Sequence, residues 1–178
     1  MHASGRQQIF MGVLFWIPIL PFCSRLMLIL KHRALMQEKL SEAELDRDSH
    51  REYIAAMAGF SFTALIALIL LDANFKAAFR LPIYYLLLSF LAYIFALNLQ
   101  GYKATRWQDE VGTASMDVGS LCLILSIVVL LVTQVNDSLF SCLLSVLAIG
   151  IWLLHHILHI SFEHRFLSER RVALGHGE

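Results

Sequence analysis

Polar and apolar positions fall in long blocks along this chain, not in the short repeats of a water-soluble core. Stretches 53–71, 81–99, 118–135 and 139–160 are apolar and hold no Asp, Glu, Lys or Arg. A hydrocarbon layer about 30 Å thick takes roughly 20 apolar residues of helix to cross. Backbone groups find no water there and must bond to one another, so each stretch is predicted to be helical. The expected fold class is all-α: a polytopic transmembrane helix bundle of four spans, preceded by an N-terminal apolar segment.

That segment, 9–30, is also apolar but contains Pro18, Pro21 and Arg25. Proline removes a helical hydrogen bond and crowds the preceding turn, and arginine is costly near the bilayer centre. The segment reads as a kinked fifth span, as a re-entrant helix, or as a helix along the interface. The kinked span is preferred, because Arg25 can snorkel from a tilted helix. Arg6 before an apolar run has the outline of a signal peptide, but no small-x-small cleavage site follows.

The expected organisation is a broken apolar segment at 1–30, a cytoplasmic polar helix at 31–52, a four-helix bundle at 53–162 and a cytoplasmic tail at 163–178. Ser41 with Glu44 forms a capping box, Pro82 suits a first helical turn, and Asp137 or Ser138 suits an N-cap.

Composition agrees: 178 residues, 58% apolar and 16% charged, with zero formal net charge. Mean hydropathy is +0.65. Zero net charge gives no footing for nucleic acid. The placement of the 14 Lys and Arg residues is more telling. If the four spans alternate, one face carries Arg25, Lys31, Arg33, Lys39, Arg47, Arg51, Lys103, Arg106, Arg165, Arg170 and Arg171. The other face has Lys76, Arg80 and, if the N-terminal segment crosses, Arg6. The positive-inside rule then predicts a cytoplasmic C-terminus in the plasma (inner) membrane.

Ala55, Gly59, Thr63 and Ala67 recur every fourth residue of the first span and form a ridge on which another backbone can pack closely. The ridge is expected to serve packing within one chain or, on the sharper reading, self-association into a homo-oligomer. Ser89, Ala92 and Ala96, and Ser141, Ser145 and Ala148, offer further small faces.

Two polar clusters are the candidate chemistry. Asn98, Gln100, Lys103, Arg106 and Asp117 join the second and third spans, and are expected to serve as a headgroup-level loop or as a pore mouth or ligand site. His155, His159 and Glu163 repeat every fourth residue near the end of the last span; such a face serves as interfacial structure, as a pH-responsive group or as a weak zinc site. No cofactor other than that zinc is indicated. No Asp or Glu sits well inside a predicted span, which disfavours proton- or sodium-coupled transport. Cys23, Cys122 and Cys142 form no C-x-x-C pair.

The leading expectation is a non-enzymatic, self-associating membrane protein acting as a small ion channel or membrane-state sensor. The alternatives are a scaffold that recruits a cytoplasmic protein through 31–52 and the tail, and a histidine–metal membrane enzyme.

Overall fold

The computed structural model describes residues 16–40, 48–71, 79–102, 105–134 and 138–173. Its helices are α1 (Ile19–Lys31), α2 (Arg33–Met36), α3 (Asp48–Leu71), α4 (Arg80–Tyr102), α5 (Arg106–Gln134) and α6 (Ser138–Ala173). Helices α3 to α6 are each long and apolar enough to cross a membrane. Together they make this a multi-pass membrane protein in a lipid bilayer.

The distribution of side chains gives the physical reason. Leu70, Leu139, Leu143, Val146, Ile151, Leu154 and Phe162 point outward. Arg25, Ser61, Ser89, Arg106, Glu110, Ser126 and His156 are buried. Water would favour the reverse, since a contiguous apolar surface of this extent is not found on soluble monomers.

The N-terminal segment is not among the candidate spans. Its described helix α1 has 13 residues, about 20 Å at 1.5 Å per residue, which is too short to cross. Trp16 is helical, Ile17 and Pro18 form a turn, and α1 starts after it at Ile19, as expected where proline removes a backbone donor. Residues 9–15 lie outside the described residues.

Each long helix packs chiefly against its neighbour in sequence, and α1 lies against α5 and α6. Serines stitch the row together. Ser89 Oγ donates to the Gly119 carbonyl at 2.8 Å and lies 3.0 Å from Ser61 Oγ, so one chain of hydroxyls joins α3, α4 and α5. Ser126 bonds the Pro82 carbonyl of α4, and Ser141 bonds the Leu131 carbonyl of α5. In lipid, such interhelical bonds are worth about 0.6 kcal/mol each on average. Tyr93 lies over Gly119, close enough that a Cβ there would meet the ring at 3.0 Å.

The small-residue faces divide. Ser89, Ala96, Ser141 and Ser145 are buried in the bundle. Ala55, Gly59, Thr63 and Ala67 all face outward, and a Cβ added at Gly59 would meet nothing within 4 Å. Among the described residues, nothing packs on this ridge. Helix α3 turns Ile54, Ala58, Ser61 and Leu65 inward instead, a stripe at helical spacing whose larger side chains interlock with Tyr93, Ala96, Leu86 and Leu123.

Residues 33–40 fold onto the bundle. Leu35 and Met36 are buried with Leu28, Ile29 and Leu167. The Arg106 N–H donates to the Glu38 carbonyl at 3.1 Å, and Lys39 bridges to Thr105. Gln108 accepts the Thr105 N–H at 3.2 Å, satisfying a donor at the start of α5 as the second half of a capping box does. Ser41, Glu44, Lys103 and Asp137 lie outside the described residues.

His32, between α1 and α2, is 4% exposed and stands edge-on to His164. Burial, reinforced by His164, Lys31 and Arg171, holds its pKa below 6.5. An unfolded ring gains its proton near pH 6.5 whereas the folded one resists, so the unfolded state binds more protons as pH falls. Thermal melts in detergent should therefore show stability decreasing from about pH 6.5 downward. The decrease should be smaller in His32→Gln, and an equal decrease in both proteins would exclude His32 as a source.

Candidate functional site

Arg25 is the centre of the site. It lies midway along α1, and its side chain is 1% exposed. Pro18 and Pro21 at the head of α1 are buried against the bundle, and the helix they start turns Pro21, Arg25, Leu28 and Ile29 inward. That 4–3–1 spacing places the arginine on the same face as the apolar contacts. The guanidinium Nη1 donates to Glu110 Oε2 at 3.0 Å and Nε to Asp117 Oδ2 at 3.3 Å. Nη2 meets His159 Nδ1.

Both carboxylates come from α5, seven residues apart and so on one face of the helix. Helix α5 already begins at Arg106, so Asp109, Glu110 and Asp117 are helical and Asp117 is carried well into the bundle. Helix α6 supplies the histidines. His156 is buried; its Nδ1 lies 3.2 Å from Asp117 Oδ2 and its ring stacks on Trp152. Ser24 donates its hydroxyl proton to the Pro21 carbonyl at 2.8 Å and lies 3.0 Å from His156 Nε2. With that proton committed, the Ser24 oxygen accepts from Nε2, while Nδ1 faces Asp117 without a well-formed hydrogen bond. Arg25, Asp117 and His156 thus tie three helices to one another.

A cavity of about 530 Å3 opens beside this cluster. Arg25, Glu110, Asp117, His159 and Glu163 line it, with Gln100, Arg106, Asp109, Thr113 and His155. Arg106 reaches Glu163 at 4.0 Å and lies over the Phe166 ring. Such a buried concentration of ionic groups is stable only when the groups satisfy one another.

The two polar clusters expected from sequence therefore meet in one place. Gln100, Arg106 and Asp117 line the cavity together with His155, His159 and Glu163. Asn98 is exposed and is not in the lining. Among the described residues, no group of three or more His, Cys, Asp or Glu side chains is placed to hold a metal ion. His155 stacks on His159 with ring centroids 6.0 Å apart, while His159 turns its nitrogen to Arg25. Sequence reasoning missed Arg25, Glu110 and His156 as site residues. The available signal was Arg25 itself, since a charge in an apolar segment calls for a counter-charge at the same depth.

No family model, no curated protein and no solved structure matches this chain.

Proposed function

We propose that this is a non-enzymatic multi-pass membrane protein that senses the state of its membrane through the docking of α1. The observation that supports this reading is the burial of Arg25 on carboxylates of a different helix. An unpaired cation at that depth is costly, so α1 has two favourable positions. In one it is docked, with Arg25 on Glu110 and Asp117. In the other it is withdrawn, with Arg25 among lipid headgroups. Anything that competes for those carboxylates, whether a proton or a cation, biases the two-state element. The bias of basic residues supports a reading in which the cavity and C-terminus lie on the cytoplasmic side of the plasma (inner) membrane.

Cys23 on α1 and Cys142 on α6 are exposed, whereas Cys122 is buried. Spin labels on the first two report how α1 sits relative to α6 in liposomes. One dominant separation is expected at neutral pH, with a second, longer one on acidification and in Asp117→Asn. A single separation under all of these conditions would eliminate the sensor reading.

The outward ridge of α3 favours a second reading, in which copies self-associate and enclose a pore. Gly59→Leu should leave the melting of the single chain within about 0.5 kcal/mol of wild type, yet abolish oligomers trapped by crosslinking in membranes. Unchanged crosslinking argues against the ridge. Absence of ion flux from liposomes across pH, voltage and tension argues against the channel.

A further inference from the structure

We infer that the polar cavity and an apolar groove beside it form one amphipathic site, and that its occupant is a lipid with an amine-bearing headgroup. The inference rests on the reading of the cavity as the sensing site and names what fills it. The groove, about 720 Å3, runs between α3 and α6 over α5. Its walls are Tyr53 on one side and Ala148, Ile151 and Trp152 on the other, with Ile124 beneath. Met116, Asp117 and His155 belong to both the groove and the cavity. The two spaces therefore adjoin across a shared wall, one largely apolar and the other charged, and each falls within the size range of ligand sites.

The groove remains open because α3 packs mainly on α4 whereas α6 packs mainly on α5. It lies between helices whose outer faces are apolar, so a chain lying in it extends naturally from the bilayer. At the charged end, the carboxyls of Asp109, Glu110, Asp117 and Glu163 outnumber the guanidiniums of Arg25 and Arg106, with His155 and His159 also in the wall. That imbalance suits a cation. A primary ammonium supplies three N–H donors to a carboxylate-rich wall, and the adjoining phosphate of a zwitterionic headgroup suits the Arg106 side. An anionic headgroup would face a wall in which carboxyls outnumber guanidiniums.

Trp152 in the groove wall is the reporter. With Trp16→Phe and Trp107→Phe in the full chain, lipids with brominated acyl chains are titrated at trace levels into phosphatidylcholine vesicles, and quenching of Trp152 is read. The brominated phosphatidylethanolamine should half-quench at about a tenfold lower mole fraction than the choline or glycerol forms, the effect of roughly one charge-assisted hydrogen bond. The advantage should be lost in Asp109→Asn with Glu163→Gln, provided that the variant keeps the wild-type melting temperature. If the variant does not fold, the headgroup comparison in the parent protein decides. Equal quenching by all three headgroups, or preference for the glycerol form, overturns the inference. So does displacement of the brominated lipid by soluble glycerophosphoethanolamine at equal concentration, because the headgroup alone would then be the ligand. Ethanolamine selectivity with an unchanged Cys23–Cys142 separation would sustain the lipid site and remove the sensor reading; a separation that responds to protons without headgroup selectivity would do the opposite.

Discussion

Arg25→Met is expected to destabilise the folded chain by about 3–5 kcal/mol, the usual cost of removing one partner from a buried ion pair. The loss comes less from the missing contacts than from what is left behind. Glu110 and Asp117 would remain buried beside each other with no guanidinium between them, and α1 would lose its polar attachment to α5 and α6. Melting in detergent and protease sensitivity of α1 both measure this. Removing the carboxylates as well, in Arg25→Met with Glu110→Gln and Asp117→Asn, should recover at least half of the loss, because a buried cluster replaced as a unit is close to neutral. Arg25→Lys should be intermediate, since a single ammonium lacks the planar fork that reaches two carboxylates and a histidine. Melting of Arg25→Met within about 0.5 kcal/mol of wild type would mean that the arginine is not held where the structure places it.

Gly119→Leu should separate α4 from α5. Even a methyl group there meets Tyr93 at 3.0 Å, and the Gly119 carbonyl accepts the Ser89 hydroxyl that links three helices. The ring cannot simply swing aside, because Tyr93 is fully buried and its hydroxyl is bonded to Ser120 at 2.8 Å. Gly119→Ala is expected to cost about 1–3 kcal/mol as an overpacked site, and Gly119→Leu more than that. The readout is the melting temperature, with exposure of Cys122 to a maleimide as the local report; Cys122 is buried in the cluster containing Tyr85 and Leu121. A Gly119→Leu protein that melts as wild type and keeps Cys122 protected would show that the two helices have room to spare.

The four spans were legible because hydrocarbon imposes a length and a composition on any helix that crosses it, and both can be read from one stretch at a time. The packing of α3 was not. Period-four small residues identify a face onto which a helix can pack, but a single chain offers two such faces. Ile54, Ala58, Ser61 and Leu65 also share one helix face, at spacings of four, three and four, and the larger side chains took the interior. The cavity was legible only in pieces. Gln100, Arg106 and Asp117, and separately His155, His159 and Glu163, were recognisable as polar groups near span ends. Their convergence depends on α5 being helical from Arg106 and on α1 bringing Arg25 across. Both are matters of tertiary packing: the contact between Arg25 and His159 joins positions 134 apart in sequence. Local patterning carries no signal over that separation.

The order of the helices has a bearing on how the chain is made. Helices α4 to α6 each meet a partner already present when they emerge, whereas α1 docks mainly on α5, made long after it, and then on α6. At ordinary translation rates the interval between the synthesis of Arg25 and of His159 is on the order of 10 s. Until α5 is made, within that interval, the nascent arginine has no carboxylate to pair with, and it is best solvated at the bilayer surface. Seating of the first helix is therefore a late event in biogenesis. It becomes possible only once α5 supplies Glu110 and Asp117, and the contact with His159 follows when α6 is made.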